Sequence, residues 1–417
     1  MARRELECRN LYNLKNASYH SVMSSQRRHI LFIEQEIPHY RAPVLTAIAS
    51  AIDADFHFFH GATTARQAFE EVSADDLPPN TSRIFVRWCL HDQIVLHNYW
   101  SALRHRTRGR NLAIVRHNPR SLFLLPFMLW CRLLRIPVVV WGQGYSRNRP
   151  FRPYAHPLDM LNLAICRLAR AYVAYTDEIR EHLSRYVDPR SIFTACNTLS
   201  LSHLVDIRTS LESESKPRVR ARLGLRSGKY LVFIGRLQPR KRADLFIEAL
   251  AQLQQADGLD IGGIIIGHGS EEVALRQFAM SRSVRDLHFT GALYDEQAAE
   301  FLFAADVLVI PGWLGLAVNH AFFFGLPVVG QKFNGSLLHH GPEVAYIREG
   351  ETGFLADAHS PNALVLAVRR ALENKQTMGQ AARQYFDTHL DINRMIDGFR
   401  RAIDIALPPE VQPTDPH

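Results

Sequence analysis

Residues 230–250 read YLVFIGRLQPRKRADLFIEAL. A short apolar run, Tyr230–Ile234, meets a turn at Gly235, then a basic cluster, then an amphipathic run with Phe246, Leu250 and Leu253 at helical spacing. That order predicts strand, loop and helix, the first half of a βαβ unit. Arg236, Arg240, Lys241 and Arg242 crowd the place where the helix begins. A helix start carries partial positive charge and favours acidic residues by about 0.3–1 kcal/mol each. Cations there are explained by a bound anion, phosphate being the usual guest, or by a solvated basic loop.

The same alternation continues downstream. Strands are expected at 261–266, 287–291, 307–312 and 326–330, with helices near 243–255, 271–282, 295–304, 316–324 and 361–373. Two further helices are expected near 376–387 and 391–406. Upstream, strand patterns lie at 29–34, 55–61, 84–88, 111–116, 137–142, 171–175 and 191–195, mostly with helical patterns between them. Thr176 with Asp177 and Glu178 behind it makes a helix N-cap with an acidic first turn. Continuous apolar strands separated by helices predict an α/β protein of two Rossmann-like, doubly wound parallel-sheet domains. Ligands of such sheets bind at the carboxyl ends of the strands.

Several candidate groups fall at those ends. Gly267-His268-Gly269-Ser270 follows 261–266, and its glycines permit close backbone approach. Gly315 opens a helix with no acid in its first turn, an anion site in principle. His320 lies one turn in, and spacing alone favours a hydrogen-bonded core role for it. His339, His340 and Glu343 form a polar cluster spaced poorly for a metal. In the first half Gln35, His39, Tyr40 and Arg41 follow the first strand, and Gln143 sits in the turn Trp141-Gly-Gln-Gly144. Asp53-Ala54-Asp55 has a metal-binding spelling but sits at a helix-to-strand turn, where a structural role is expected.

The 417 residues suffice for two or three domains, and 47% hydrophobic with 22% charged residues is a globular composition. A net charge of +8 suits small anions or an anionic membrane surface. No nucleic-acid-binding signature accompanies it, so no nucleic-acid partner is expected. Five widely spaced cysteines without a CxxC point to a reducing, cytoplasmic setting and neither disulfides nor zinc. Residues 121–141 are the most apolar stretch, but Pro126, Arg132, Arg135 and Pro137 interrupt it. A spanning helix is not expected there. A buried Rossmann-type helix and an interfacial helix with arginines on one edge are the two alternatives.

Taken in order, GRLQPRKRADLFIEAL, IIGHGSE, LHFTGAL, AADVLVIPG, GLAVNHAFFFGLPVV and PEVAYIREGETGFL resemble the retaining GT-B glycosyltransferases of the group 1 type (family 4) over about Tyr230 to Leu372. EQEIPHYRAPVL, VVVWGQG, AYVAYTDEI and ACNTLS resemble that family's acceptor domain more loosely. The resemblance implies two domains facing across a cleft, with a nucleotide diphosphate sugar of the UDP, GDP or ADP type as donor and a saccharide or lipid-linked saccharide as acceptor. It implies no cofactor and no metal. Arg236 and Lys241 would hold the donor diphosphate, and Gly235, Gly267 and Gly269 would shape its loops. Leu293 and Tyr294 would line the base pocket, and the backbone at Gly315, Leu316 and Ala317 would contact sugar and phosphate. Gln35, Tyr40, Arg41 and Gln143 would lie on the acceptor side. The family's two glutamates fall here on Gly312 and His320, and Glu343 is the nearest carboxylate by motif. Those departures keep a non-catalytic subunit or scaffold that binds nucleotide sugar open as the alternative. The expected division is an extension at 1–27 (with Met23 a second candidate start), a domain at 28–203, a connector at 204–228, a nucleotide-sugar domain at 229–388, a returning helix at 389–406 and a disordered tail at 407–417. The cysteine usage places the protein in the cytoplasm, and the apolar 121–135 segment permits peripheral contact with an anionic membrane.

Overall fold

The computed structural model describes residues 27–62, 72–91, 93–146, 149–226, 228–255, 259–332, 340–360 and 362–409. Residues 1–26 of the expected extension, His339 and residues 410–417 of the expected tail lie outside them. The chain forms two compact units, Met1–Ala195 with Met395–His417, and Cys196–Arg394.

The first unit begins with β1 (Arg28–Ile33), α1 (Ala42–Ala51), β2 (Asp55–His60) and β3 (Thr81–Arg83). A separate antiparallel hairpin follows, β4 (Val86–Cys89) with β5 (Ile94–His97). Next come β6 (Arg110–Arg116), α2 (Leu124–Leu133), β7 (Val138–Gly142), α3 (Pro157–Leu168), β8 (Ala171–Ala174), α4 (Asp177–Leu183) and β9 (Ile192–Thr194). The sheet order is β3-β2-β1-β6-β7-β8-β9, and every described pairing in it is parallel. The expected strand at 84–88 is therefore corrected: it forms one arm of the hairpin and joins no parallel sheet. Thr176 caps α4 as expected, its hydroxyl accepting from the Ile179 amide at 3.2 Å.

The second unit opens with α5 (Val205–Glu214) and α6 (Lys216–Arg222), two helices within the segment expected as a connector. They are fastened inside the unit. Arg220 donates to the Ala304 carbonyl at 2.8 Å and pairs with buried Asp306 at 2.7 Å. Then follow β10 (Lys229–Ile234), α7 (Ala243–Gln255), β11 (Ile261–Ile266), α8 (Glu272–Ser281), β12 (Leu287–Gly291) and α9 (Asp295–Ala304). The unit closes with β13 (Val307–Val309), α10 (Ala317–Phe323), β14 (Val328–Gln331), β15 (Gly353–Ala356), α11 (Ala363–Glu373) and α12 (Lys375–Tyr385). Its sheet order, β12-β11-β10-β13-β14-β15, is the doubly wound 3-2-1-4-5-6 arrangement. The order reverses between β10 and β13, so the loops after those two strands flank the switch point where such sheets take ligands.

The last helix, α13 (Ile392–Ala406), belongs from Met395 onward to the first unit. Phe399 packs 5.9 Å from Phe32 and 5.4 Å from Trp141, ring centre to ring centre. Arg28 pairs with Asp404. The expected structural role of Asp53 and Asp55 is also visible, since both carboxylates face Arg27, at 3.5 and 2.9 Å.

Three histidines of the first unit are held neutral. Burial lowers His57 to about 4, helped by His105 and His29; burial lowers His97 to about 3 and His117 to about 4, the last against a hydrogen bond to Asn162. Their unfolded value is near 6.5, so below it the unfolded chain takes protons that the fold refuses, and stability falls as pH drops from 6.5 towards 4. The expected slope is about 1.4 kcal/mol per pH unit for each buried histidine, less for half-exposed His57. Urea midpoints at pH 7, 5.5 and 4.5 measure it. His97→Leu should flatten the slope by about one histidine's share; an unchanged slope removes His97 from this account.

Candidate functional site

The loop after β10 meets the loop after β13 through backbone. The Gly312 amide donates to the Lys241 carbonyl at 3.1 Å and the Trp313 amide to the Arg240 carbonyl at 2.8 Å. Pro239–Lys241 is a 3-10 turn, and Arg242 follows in the left-handed region, φ 53°. Of the four cations, Arg242 is spent locally, its guanidinium 2.8 Å from Asp244. Arg240 lies over the Trp313 ring, 4.9 Å from its centre. Arg236 is half-buried beside Arg240, close enough to weaken the latter's charge. Lys241 is 6% exposed, and its Nζ lies 4.6 Å from the centre of the same ring. Burial, then Arg240, lowers Lys241 to about 7, with Glu343 acting in the opposite direction. An arriving anion would favour its charged form.

The glycines here serve the chain itself. Gly267 has φ 149°, and a Cβ on it would overlap the Gly235 carbonyl oxygen, with the carbonyl carbon at 2.9 Å. A Cβ on Gly269 would overlap the Leu237 carbonyl oxygen. The Leu237 amide donates to the His268 carbonyl at 3.0 Å, and the Glu271 amide to the Leu237 carbonyl at 3.1 Å. The close approach expected of a ligand is thus made by the first loop's backbone. Gly312 is constrained likewise: a Cβ there would overlap the Arg240 carbonyl oxygen and stand 2.6 Å from that of Lys241. A carboxylate has no room at this position while the two loops remain joined.

Glu343 lies on the 3-10 turn Pro342–Tyr346, 2% exposed, and accepts a hydrogen bond from the Asn197 amide group. Asn319 and Tyr346 donate to the Asn197 carbonyl at 3.1 and 3.2 Å. His340 accepts from the Leu314 amide through Nδ1 at 3.2 Å. Its Nε2 must then carry the proton donated to the Gln331 carbonyl at 2.8 Å. These contacts hold the loop after β13 from its second side.

α10 begins at Ala317 and has seven residues, shorter than the expected 316–324. Gly315 and Leu316 precede it, and the Val318 amide already donates to the Gly315 carbonyl at 3.1 Å. Its end is a smaller anion site than a long helix would give. His320 on α10 is lowered to about 4 by burial and by His203, with Asp295 opposing. Its Nδ1 has no hydrogen-bond partner among the described residues. His203 meets Asp295 at 2.8 Å, and Asp295 follows half-buried Leu293 and exposed Tyr294. The structure so brings His320 near the segment expected to line a base pocket. Trp313, Asn197, Asn319 and His203 were not anticipated. Trp313, an aromatic between two strand-end glycines, was the one with a visible signal.

In the first unit a pocket of about 430 Å³ opens at the matching switch point. Gln35, Arg116, Arg120, Gln143, Asn162 and Tyr175 are among its lining residues. Tyr40 and Arg41 are not; Arg41 is buried with its guanidinium 5.3 Å from the Trp141 ring centre. Beneath the pocket Glu34 is buried, 3.6 Å from Arg116. Burial pushes its carboxyl up to about 7 against Arg116 and Arg41. Among the described residues no group of three His, Cys, Asp or Glu is placed to hold a metal.

Residues 215–385 match the family described as "Glycosyl transferases group 1". The chain is 29% identical over 223 residues to D-inositol 3-phosphate glycosyltransferase of Geodermatophilus obscurus, covering 50% of this chain and 46% of that protein. It is 26% identical over 250 residues to GDP-mannose-dependent alpha-(1-6)-phosphatidylinositol monomannoside mannosyltransferase of Mycolicibacterium smegmatis, covering 56% and 63%. The chain thus spans about half the length of the curated relatives it matches. Among solved structures it superposes on Anabaena HepE in complex with UDP with a TM-score of 0.65 at 15% identity, covering 91% of this chain and 100% of that one. For WaaG, a glycosyltransferase involved in lipopolysaccharide biosynthesis, the TM-score is 0.56 at 17% identity, covering 90% and 99%. At those identities the likeness speaks for the fold, which is GT-B.

Proposed function

We propose, from the premise that this chain is a GT-B protein whose residues 215–385 belong to the group 1 glycosyltransferase family, that it transfers a sugar from a nucleotide diphosphate sugar to a hydroxyl of a saccharide acceptor with retention of configuration. The observation that carries this reading is buried Lys241 at the switch point, with Arg240 and half-buried Arg236 on the same loop. A diphosphate leaving group placed there gains two charged contacts as negative charge develops. Arg236 and Lys241 take that role. Gly235, Gly267 and Gly269 hold the loop that presents them. Leu293, Tyr294 and His320 take the nucleoside, and the backbone at 315–317 takes sugar and phosphate. Glu343 orients the donor sugar or steadies Lys241. The departing phosphate itself takes the acceptor's proton, so the scheme calls for neither a separate base nor a metal. Gln35 and Gln143 belong to the acceptor side by their place in the first pocket. The nucleotide-sugar part of the reading is supported by UDP in the superposed HepE structure.

A second reading, a nucleotide-sugar-binding subunit without turnover, is favoured by Gly312, where the joined loops leave no space for a carboxylate. One experiment separates the two. The full chain is offered UDP-, GDP- and ADP-sugars in a thermal-shift screen, and released nucleotide is followed for each binder. Binding with slow release or transfer is the expected result. Binding without any release supports the second reading. No binding of any donor ends both.

A further inference from the structure

We propose that α2 and its surroundings form a docking surface for an anionic lipid membrane. An amphipathic helix shows solvent a polar face, but α2 is apolar on both sides. Leu124, Phe127, Met128 and Cys131 face the core. On the other side Leu129 is 50% exposed, Trp130 47% and Leu133 72%, and exposed Leu122 leads into the helix. These positions recur at helical spacing, so they form one stripe. The neighbouring α3 carries two further exposed apolar side chains, Leu158 and Met160. Contiguous apolar surface of this kind marks an interaction site.

The charge around it selects the occupant. Between Asp92 and Asp159 the sequence has no acidic residue and eleven arginines. Arg132 and Arg135 are exposed at the carboxyl end of α2. Arg104, Arg106 and Arg108 are exposed on the segment that leaves Trp100, whose ring packs 5.6 Å from Phe123 and 6.2 Å from Phe127. An apolar stripe with aromatic and arginine flanks, whose adjoining acid Asp159 is buried against Arg149, fits the boundary of a bilayer carrying anionic headgroups. A protein partner of the same surface would need a matching acidic, apolar face, and a second copy presents arginines instead. Leu158 and Arg120 also line the first-unit pocket, so that pocket opens beside the docking surface. If the glycosyltransferase reading holds, on which this step alone rests, the acceptor is a saccharide carried on a lipid.

The test is co-sedimentation of the full chain with phosphatidylglycerol-containing vesicles and with pure phosphatidylcholine vesicles. Binding is expected to the first, weakened by raised salt, and to be far weaker to the second. Leu129→Gln with Leu133→Gln, and separately Arg132→Gln with Arg135→Gln, should each reduce binding roughly tenfold or more. Both pairs are exposed, so thermal unfolding should not change. Trp130 emission should shift to the blue on vesicles, by difference from Trp130→Phe. Equal binding by either double variant, or absence of binding to anionic vesicles, overturns the proposal. So does a concentration-dependent dimer that Leu129→Gln with Leu133→Gln abolishes. Nucleotide-sugar binding is measured on the same samples, so loss of donor binding with intact docking sinks the transferase reading alone.

Discussion

Replacing Gly267 with alanine will destabilise the second unit by about 3–5 kcal/mol and abolish nucleotide binding. Two costs combine. A side chain at φ 149° is strained whatever surrounds it, and the new Cβ would overlap the Gly235 carbonyl oxygen. Relief requires moving the loop after β10 away from the loop after β11. That breaks the pairings of Gly235 with Ile266 and of Leu237 with His268, and it displaces Arg236 and Lys241 with them. Gly224→Ala is the control, at φ 70° with no atom within 4 Å of its Cβ. It should cost only about 1 kcal/mol, the strain alone. Urea unfolding of both variants decides the matter: a Gly267→Ala cost no larger than that of Gly224→Ala would mean the two loops are not in contact as described.

The architecture was legible where one strand and one helix follow each other in sequence. Ile261–Ile266 with α8, and Leu287–Gly291 with α9, needed only the switch of hydrophobic period. The hairpin was misread because residues 84–88 have strand composition, and composition does not name the partner. β15, four residues between turns, has too little periodicity to register. At the site, the anion logic singled out the basic loop because a helix start disfavours cations. Setting Arg242 aside could have been argued further from its near neighbour Asp244, which takes its charge. The reason for Gly312 could not be read, since the atoms that exclude a side chain there belong to residues 240 and 241. Asn197 with Glu343, and His203 with Asp295, are likewise pairings of distant segments. For α2, the apolar run was plain, but not that half of it remains uncovered.

Lys241→Met will move stability and binding in opposite directions. Burial, then Arg240, lowers the folded value of Lys241 from 10.5 to about 7. In the unfolded chain the amine stays protonated up to about 10.4. Between those values the unfolded state holds a proton that the fold has released, so stability of the unliganded protein rises with pH across that window. Below 7 both states are protonated and the burial penalty is at its full, constant size. Methionine keeps most of the side-chain volume without the charge. The variant should therefore be more stable at pH 7 and below, and its stability should no longer rise between pH 7 and 10. A diphosphate reverses the balance by favouring the ammonium. Donor binding above pH 7 should take up close to one proton, and affinity should fall as pH rises from 7 to 9. Removing the ammonium should weaken binding by about 1.5–3 kcal/mol, the scale of a charge-assisted bond. Calorimetry of the preferred nucleotide sugar in two buffers of different ionisation enthalpy measures the proton uptake directly. If Lys241→Met bound that donor as tightly as the parent chain, with the same proton uptake, Lys241 would not touch the diphosphate. The cations of the loop after β10 would then leave Arg236 to hold it with Arg240, the one already committed to Trp313.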